Sequence, residues 1–541
     1  MFKARRGVPM KPVSLLLLFV ATLAPVASAQ TPGLVPLTDL GTGLYQGFQG
    51  GLYPGGSNAP PPAHLAAAVS VAQQVVPRDA QGSPHADGLV GLIAIGMSNT
   101  CQEFAVFERQ EDLNPSRNPR VVIVDTAQGG QTAAAIASPA ASYWTLVSQR
   151  LQAAGLSAAQ VQVAWLKEAD AQPPNNFPGH AQVLRDELKA ICNILHDRFP
   201  NLRLCYVSSR IYSYAAQGSL NPEPQAYESG FAVKWLIEAQ INGDPQLNYS
   251  AAAGPVRSPL LLWGPYLWAN GTTPRSDGLV WLASDLEGDL THPGPAGEQK
   301  VADMLSAFLA TDPAAAPWWG PRVGAALVTL DATKDAYVQA AAPGSNFGAL
   351  PQLLVQGGAS PTSTYVAFDA SALPRPARYA KLGLRIVQAG GGPVSTVADS
   401  SWDEAAITFG TAPPVGPVAV NVPSASREGT FDADVTGALN ADPDGVLSLA
   451  LATTAAAQAS YRSRESGQPP RLTVLVLTPC AADANADGLL TPADIGAFVN
   501  TWLLSLAAGS LAGDFDGNGA VAPADVAAFV AAWFGALAGG C

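Results

Sequence analysis

Five short, almost unbroken apolar runs punctuate residues 88–263: Gly88–Ile95, Val121–Val124, Val161–Trp165, Leu202–Ser208 and Leu260–Trp263. Between them lie stretches long enough for helices. In one of these, Leu184, Leu188, Ile191, Leu195 and Phe199 recur every three or four positions, the period of an amphipathic helix. No other feature constrains the fold as strongly. A strand that is apolar along its length must be covered on both faces, and strands alternating with helices achieve this as a parallel sheet between two helical layers. In such sheets ligands bind at the carboxyl ends of the strands, so chemistry is expected in the loops that follow these runs.

The pattern does not fill the chain. Residues 1–29 carry Lys3, Arg5, Arg6 and Lys11, then the apolar run Val13–Leu23, then Ala27-Ser28-Ala29. That order is the order of a secretory signal peptide. The run is short for a bilayer, and no later segment approaches the ~20 apolar residues of a membrane span. A secreted or cell-surface protein is expected. Residues 30–60, rich in Gly, Pro, Asn and Ser, read as an extended lead-in, 61–310 as the α/β block and Thr311–Gly320 as a linker. Over 321–478 short Val/Leu/Tyr-rich runs sit between turns such as Ala342–Asn346 and Ala389–Pro393, the spacing of an all-β sandwich. Residues 479–541 contain a duplicated loop and helix.

Composition narrows the partners. Charged residues are 13% of the chain, against ~25% in an average soluble domain. The net charge is −13 with no basic stripe, which argues against nucleic acid, because phosphate neutralisation needs Lys and Arg. The five cysteines, Cys101, Cys192, Cys205, Cys480 and Cys541, cannot all pair within one chain. Cys192 and Cys205 flank a helix-to-strand connection and read equally as a pair or as buried thiols.

Three features of the α/β block carry chemistry. The first strand runs into Gly96-Met97-Ser98-Asn99, which places a serine just past its carboxyl end. The second leads to Gly129-Gly130, where bare backbone can approach a ligand, and far downstream Asp289 precedes His292-Pro293 by three residues. A serine hydroxyl needs a base to take its proton, the base needs an orienting carboxylate, and the tetrahedral oxyanion needs fixed N–H donors. Together these segments, over about residues 88–310, resemble the SGNH (GDSL-like) hydrolase family. Its first block is Gly-Asp-Ser, here Gly96-Met97-Ser98, and its last is Asp-x-x-His-Pro, here Asp289–Pro293. The resemblance implies a three-layer, flavodoxin-like α/β fold and a serine esterase with no catalytic cofactor. Ser98 would be the nucleophile, His292 the general base and acid, and Asp289 the orienting group. The N–H groups of Ser98 and Gly130 would hold the oxyanion. The family's third donor is a side chain, and here the equivalent stretch reads Trp165-Leu166-Lys167-Glu168-Ala169-Asp170. Lys167 stands in its place, with Asn175 and Asn176 as alternatives. Losing one such donor costs ~10²–10³-fold in rate, so a weak or inactive surface protein is the competing expectation. Trp263–Trp268 reads as cleft lining or core, while Ser209, Arg210 and Tyr212 follow a strand and so could face the site. His180 and His196 read as surface or packing residues, and His64 and His85 have no partner pattern.

In the middle block Lys334–Val338, Asn346–Gly348, Tyr365–Asp369, Ser401–Phe409, Asp434–Thr436 and Ser463–Glu465 occur in an order that resembles the DNRLRE-type β-sandwich domains of secreted proteins. That implies a carbohydrate-binding accessory domain, with a structural spacer as the plainer reading. Arg464-Glu465 reads as a buried ion pair and Trp402 as a core residue.

At the C-terminus, Asp483, Asn485, Asp487, Leu489 and Asp494 occupy positions 1, 3, 5, 7 and 12 of a loop, and Asp514, Asp516, Asn518, Ala520 and Asp525 repeat them. Hard oxygen ligands at these positions suit Ca²⁺, with Leu489 and Ala520 binding through backbone carbonyls. Ile495, Phe498, Val499 and Trp502 recur as Val526, Phe529, Val530 and Trp533. The duplication resembles a type I dockerin, a small α-helical Ca²⁺-binding domain whose usual partner is a cohesin-like protein. Cys480 and Cys541 bracket it, and a disulfide between them would staple a domain too small to be secure alone.

Overall fold

The computed structural model describes residues 33–85, 88–320, 324–388, 390–425, 429–478, 480–485 and 490–539. The segment expected to be a signal peptide lies outside them, as do Asp487, Leu489 and Cys541.

The N-terminal domain is a five-stranded parallel sheet. Its strands are β1 (Val90–Gly96), β2 (Val121–Asp125), β3 (Val161–Lys167), β4 (Leu204–Val207) and β5 (Leu260–Trp263), in the spatial order β2-β1-β3-β4-β5. Residues of β1, β3, β4 and β5 are buried throughout, as unbroken apolar runs require. The main helices are α1 (Pro62–Ala72), α2 (Ser98–Glu111), α3 (Tyr143–Ala153), α4 (Gly179–Arg198), α5 (Gln225–Ile241) and α6 (Pro295–Thr311). Leu184, Leu188, Ile191 and Leu195 of α4 are buried, so the stripe read from sequence is the packed face. The chain reverses its direction across the sheet between β1 and β3, which puts the topological switch point beside the carboxyl end of β1.

Two boundaries differ from the sequence reading. Residues 33–60 are not an extended lead-in: Leu34, Leu37, Leu52 and Tyr53 are buried in the core of this domain. The Trp263 N–H donates to Tyr53 Oη at 3.1 Å, and Lys234 Nζ donates to the carbonyls of Gly50 and Tyr53. Gly51 takes φ +72°, and a Cβ there would lie 2.3 Å from the Gly56 carbonyl carbon, so this turn needs glycine. Residues 311–320 are not a free linker either. Helix α6 ends at Thr311, Asp312 Oδ1 accepts from the N–H groups of Ala314 and Ala315, and Trp318 and Trp319 are buried, with Trp319 stacked on Phe107. The Pro/Ala composition that suggests a linker conceals two tryptophans that dock on α2 and α6.

The second domain is a sandwich of two antiparallel sheets. Its strands are β6 (Gly324–Asp331), β7 (Lys334–Gln339), β8 (Gln352–Val355), β9 (Thr362–Asp369), β10 (Tyr379–Gln388), β11 (Gly390–Thr396), β12 (Val418–Ala425), β13 (Gly429–Asp434), β14 (Val446–Leu451), β15 (Ala459–Arg462) and β16 (Arg471–Thr478). One sheet runs β8-β15-β10-β16-β6 with β13 also on β10, and the other runs β12-β11-β14-β9-β7. Val366, Phe368, Leu382, Leu384, Leu449 and Val474 fill the space between them. A second cluster of Ala336, Val338, Tyr365, Ala367, Trp402, Ile407 and Ala450 covers the outer face of the second sheet. Trp402 is a core residue whose indole N–H donates to Ser448 Oγ. The Arg464–Glu465 pair is not formed: Arg464 Nη1 meets Glu404 Oε2 at 2.5 Å instead, and Glu465 is exposed.

The C-terminal segment holds α7 (Pro492–Ala508) and α8 (Pro523–Gly539). Phe498 and Phe529, equivalent positions of the duplication, stack with ring centroids 4.3 Å apart, and Phe515 packs edge-on against both.

Candidate active site

The site forms where β1 ends. Met97 is extended, and α2 begins at Ser98, so the Ser98 N–H belongs to the first turn and has no intrahelical acceptor. Gly96 is required at this turn, because a Cβ there would fall 2.3 Å from Thr100 Oγ1 and 2.4 Å from the Lys167 carbonyl oxygen. The loop after β2 folds back onto it: Gln128 N–H donates to the Gly96 carbonyl at 2.9 Å, and Arg150 Nη1 holds the carbonyls of Asp125 and Ala127. A Cβ on Gly129 would lie 3.6 Å from Ser98 Cβ, so the glycine pair borders the serine. Gly130 adopts φ +76°, a conformation that glycine takes without strain.

Ser98 Oγ lies 2.7 Å from His292 Nε2, and His292 Nδ1 lies 2.5 Å from Asp289 Oδ2. The other oxygen, Asp289 Oδ1, accepts from the N–H groups of Thr291 and His292, each at 3.0 Å. Partial burial raises the Asp289 carboxyl, but these two N–H donors and the imidazole outweigh it and hold the group below its ordinary range. The structure thus brings Ser98, His292, Asp289 and the Gly129–Gly130 loop together.

Two further residues set this geometry. Leu290 has φ +62°, unusual for a residue with a Cβ, and this turn lets Asp289 and His292 face each other across three positions. Its carbonyl accepts from Tyr214 N–H at 3.1 Å and from Ser213 Oγ at 3.2 Å. Asn99 is fully buried and donates through Nδ2 to the Thr291 carbonyl at 3.0 Å, which ties the helix of Ser98 to the loop of His292. Asn99 follows the serine directly in sequence. That adjacency was its only signal, and it says nothing of a partner nearly two hundred residues away.

Lys167 does not complete an oxyanion site. Its Nζ is ion-paired with Glu103 Oε2 of α2, and both side chains are wholly inaccessible. Burial lowers the Lys167 ammonium to about 8 and raises the Glu103 carboxyl, so this is a closed internal pair. Asn176 is also committed, as its Oδ1 accepts from the His180 N–H at the start of α4, and Asn175 is exposed. Ser209, Arg210, Tyr212 and Trp268 are buried. His180 pairs with Glu228 at 2.7 Å and His64 contacts the Leu261 carbonyl at 2.8 Å, both as internal packing residues. Cys192 and Cys205 are buried free thiols, and Cys101 donates to Asp125 Oδ2. Cys480 is disulfide-bonded.

The surroundings are open. Gly129, Gly130 and Asp289 are exposed, and Ser98 and His292 are half-buried. Ser98 borders a surface that a large molecule can reach.

Residues 326–476 match the model of carbohydrate-binding module family 96. No curated protein matches the sequence. Among solved structures the chain is similar to an acetyl esterase mutant with acetate ion, at 14% identity over 41% of this chain and 97% of that one, with a TM-score of 0.25. It is also similar to a putative platelet activating factor from Streptococcus pneumonia, at 13% identity over 46% and 91%, with a TM-score of 0.23. A third is the periplasmic domain of a lipopolysaccharide acetyltransferase from Salmonella ser. Paratyphi A, at 12% identity over 42% and 85%, with a TM-score of 0.25.

In the C-terminal segment, one carboxylate oxygen from each of Asp514, Asp516 and Asp525 lies within 4.8 Å of the others. Asn518 N–H donates to Asp514 Oδ1 and Asp516 Oδ1, and Ala520 N–H donates to Asn518 Oδ1. In the first loop Asp494 accepts from the N–H groups of Asn485 and Thr491. An all-oxygen donor set of this kind fits a hard cation. Among the described residues no helix is long and apolar enough to cross a membrane.

Proposed function

We propose that the chain is a secreted serine esterase of SGNH type that removes acyl groups from carbohydrate. The observation that carries this reading is the continuous contact from Ser98 Oγ through His292 to Asp289, 2.7 Å and then 2.5 Å. His292 Nε2 takes the Ser98 proton as Oγ attacks the ester carbonyl carbon. The N–H groups of Ser98 and Gly130 receive the oxyanion. The protonated imidazole then gives its proton to the departing alkoxide, leaving an acyl-serine. Water, deprotonated by the same nitrogen, attacks the acyl-serine, and the imidazolium returns that proton to Ser98 Oγ as the acyl–oxygen bond breaks and the carboxylic acid leaves. Asp289 stays ionised and holds the imidazole in the tautomer that presents a bare Nε2 to serine.

The carbohydrate part of the proposal rests on the family 96 match and on the open surface around Ser98. Ca²⁺ bound by Asp483, Asn485, Asp487, Leu489 and Asp494, and by Asp514, Asp516, Asn518, Ala520 and Asp525, belongs to the same proposal. So does a dockerin-like role for the C-terminal segment toward a cohesin-like partner.

The burial of Lys167 favours a second reading, in which the domain is catalytically weak and the chain acts by binding glycan or partner. One assay separates the two. Hydrolysis of a short acyl ester and of an acetylated polysaccharide is measured for the wild type and for Ser98→Ala. Turnover by the wild type and its loss in Ser98→Ala are expected. An inactive wild type would leave only the binding role, and a fully active variant would overturn the assignment of Ser98.

A further inference from the structure

We propose that Asp335, Glu404 and Glu465 form a divalent-cation site, sized for Ca²⁺, on the sandwich domain and separate from the C-terminal loops. These residues come from three distant parts of the chain. Asp335 is the second residue of β7, Glu404 lies two residues after the buried Trp402, and Glu465 sits in the short turn Arg464–Ser466 before β16. One carboxylate oxygen from each lies within 4.8 Å of the other two. Three oxygens no more than 4.8 Å apart lie within about 2.8 Å of a common centre, so shifts of about a few tenths of an ångström at most bring all three to the ~2.3–2.6 Å of Ca²⁺–oxygen bonds.

Charge and hydrogen bonding both point to a missing positive partner. Three carboxylates share one guanidinium, Arg464, whose Nη1 donates to Glu404 Oε2 at 2.5 Å. Lys334 is adjacent in sequence, but its Nζ donates to the carbonyls of Ser400 and Trp402 at 2.6 and 2.8 Å. Glu404 Oε1 accepts from the Asp335 N–H, and Asp335 Oδ2 accepts from the Arg464 N–H. Asp335 Oδ1 has no hydrogen-bond partner although the residue is 0% exposed. A buried carboxylate oxygen without a donor is costly, and an ion coordinated there removes the cost. The site also has an entrance, since Asp335 is buried, Glu404 half-buried and Glu465 exposed. The exposed side leaves room for the waters that complete a Ca²⁺ shell of 6–8 oxygens. The ion would tie β7, the segment carrying Trp402 and Glu404, and the turn before β16 into one unit. That gives a physical reason for the polar residues of Lys334–Val338, Ser401–Phe409 and Ser463–Glu465, which the esterase reading leaves unused.

The test uses the full chain carrying Asp483→Asn, Asp487→Asn, Asp514→Asn and Asp516→Asn, so that the C-terminal loops no longer compete. Bound Ca²⁺ is counted by equilibrium dialysis, and thermal unfolding of the sandwich is followed with and without Ca²⁺. One Ca²⁺ per chain and a higher unfolding temperature with Ca²⁺ are expected. Adding Glu465→Gln, at an exposed position that folding tolerates, should weaken binding by about tenfold or more and remove the temperature shift. Asp335→Asn should abolish binding. The proposal is overturned if the background chain binds no Ca²⁺, or if its affinity is unchanged by both Glu465→Gln and Asp335→Asn.

Discussion

Asn99 touches neither the proposed substrate nor the reacting atoms, yet its replacement by alanine should damage turnover. Its Nδ2 is a donor to the Thr291 carbonyl, and Thr291 is 2% exposed. Removing the donor leaves a buried carbonyl unsatisfied, at a cost of about 1–3 kcal/mol. The loop keeps its other ties, from Tyr214 and Ser213 to the Leu290 carbonyl and from Glu287 N–H to the His292 carbonyl, so the domain should still fold. What it loses is the buried link between the element carrying Ser98 and the one carrying His292, leaving the exposed bond from Gln102 Nε2 to Glu287 Oε1 and the Ser98–His292 contact itself. If that energy is expressed at the 2.7 Å contact, kcat falls by about 10–100-fold, since each 1.4 kcal/mol is a decade. KM should stay within about twofold, because the lost interaction does not bind substrate. The assay is steady-state hydrolysis of a soluble acyl ester, with the unfolding temperature measured on the same samples. A lower unfolding temperature with unchanged kcat would refute the positioning argument and reduce Asn99 to a structural residue.

The buried pair beneath the site gives a second prediction. Lys167→Met should destabilise the domain by about 3–5 kcal/mol by stranding Glu103, and adding Glu103→Leu should recover most of that loss. Equal instability of single and double variants in denaturant titrations would contradict the pairing. A third concerns pH. Burial pushes Glu223 up to about 7 from its ordinary 4.5, against the donors Trp268, Ser213 and Tyr227. The folded chain therefore binds this proton more tightly than the unfolded chain. Its contribution is complete below about pH 4.5 and is lost as pH rises through about 7, and up to about 3 kcal/mol depends on it. Glu223→Gln should flatten that part of the stability profile, and an unchanged slope would show that another group is responsible. Finally, chelation should reduce the helical circular dichroism of residues 479–541, because clustered carboxylates repel one another without a cation. Identical spectra with and without chelator would remove Ca²⁺ from the folding of that segment.

Much of the N-terminal domain was legible because its signals are local. A wholly apolar run, a glycine before a serine, and a histidine three residues after an aspartate each sit within one short segment. Ser98, Gly130, Asp289 and His292 could be named from such segments, and the fold supplies only their meeting. Lys167 was not legible in the same way. It closes β3, and whether its ammonium enters the site or the interior depends on Glu103, which α2 carries to it from elsewhere in the chain. Residues 33–60 and 311–320 were misread for a related reason. Sparse apolar residues among Gly, Pro and Ala look like linker until the surfaces that bury Leu37, Tyr53 and Trp318 are in place.

The sequence alone determined the layered architecture, because periodicity and burial are tied by the geometry of strands and helices. It also named the residue types able to carry acyl transfer. Tertiary structure decided which polar groups meet: Asn99 with Thr291, Arg464 with Glu404 instead of Glu465, and Lys167 with Glu103 instead of an oxyanion. The physical reason is range. Backbone preferences act over a few residues, whereas a buried charge must find its partner in space, wherever in the chain that partner lies.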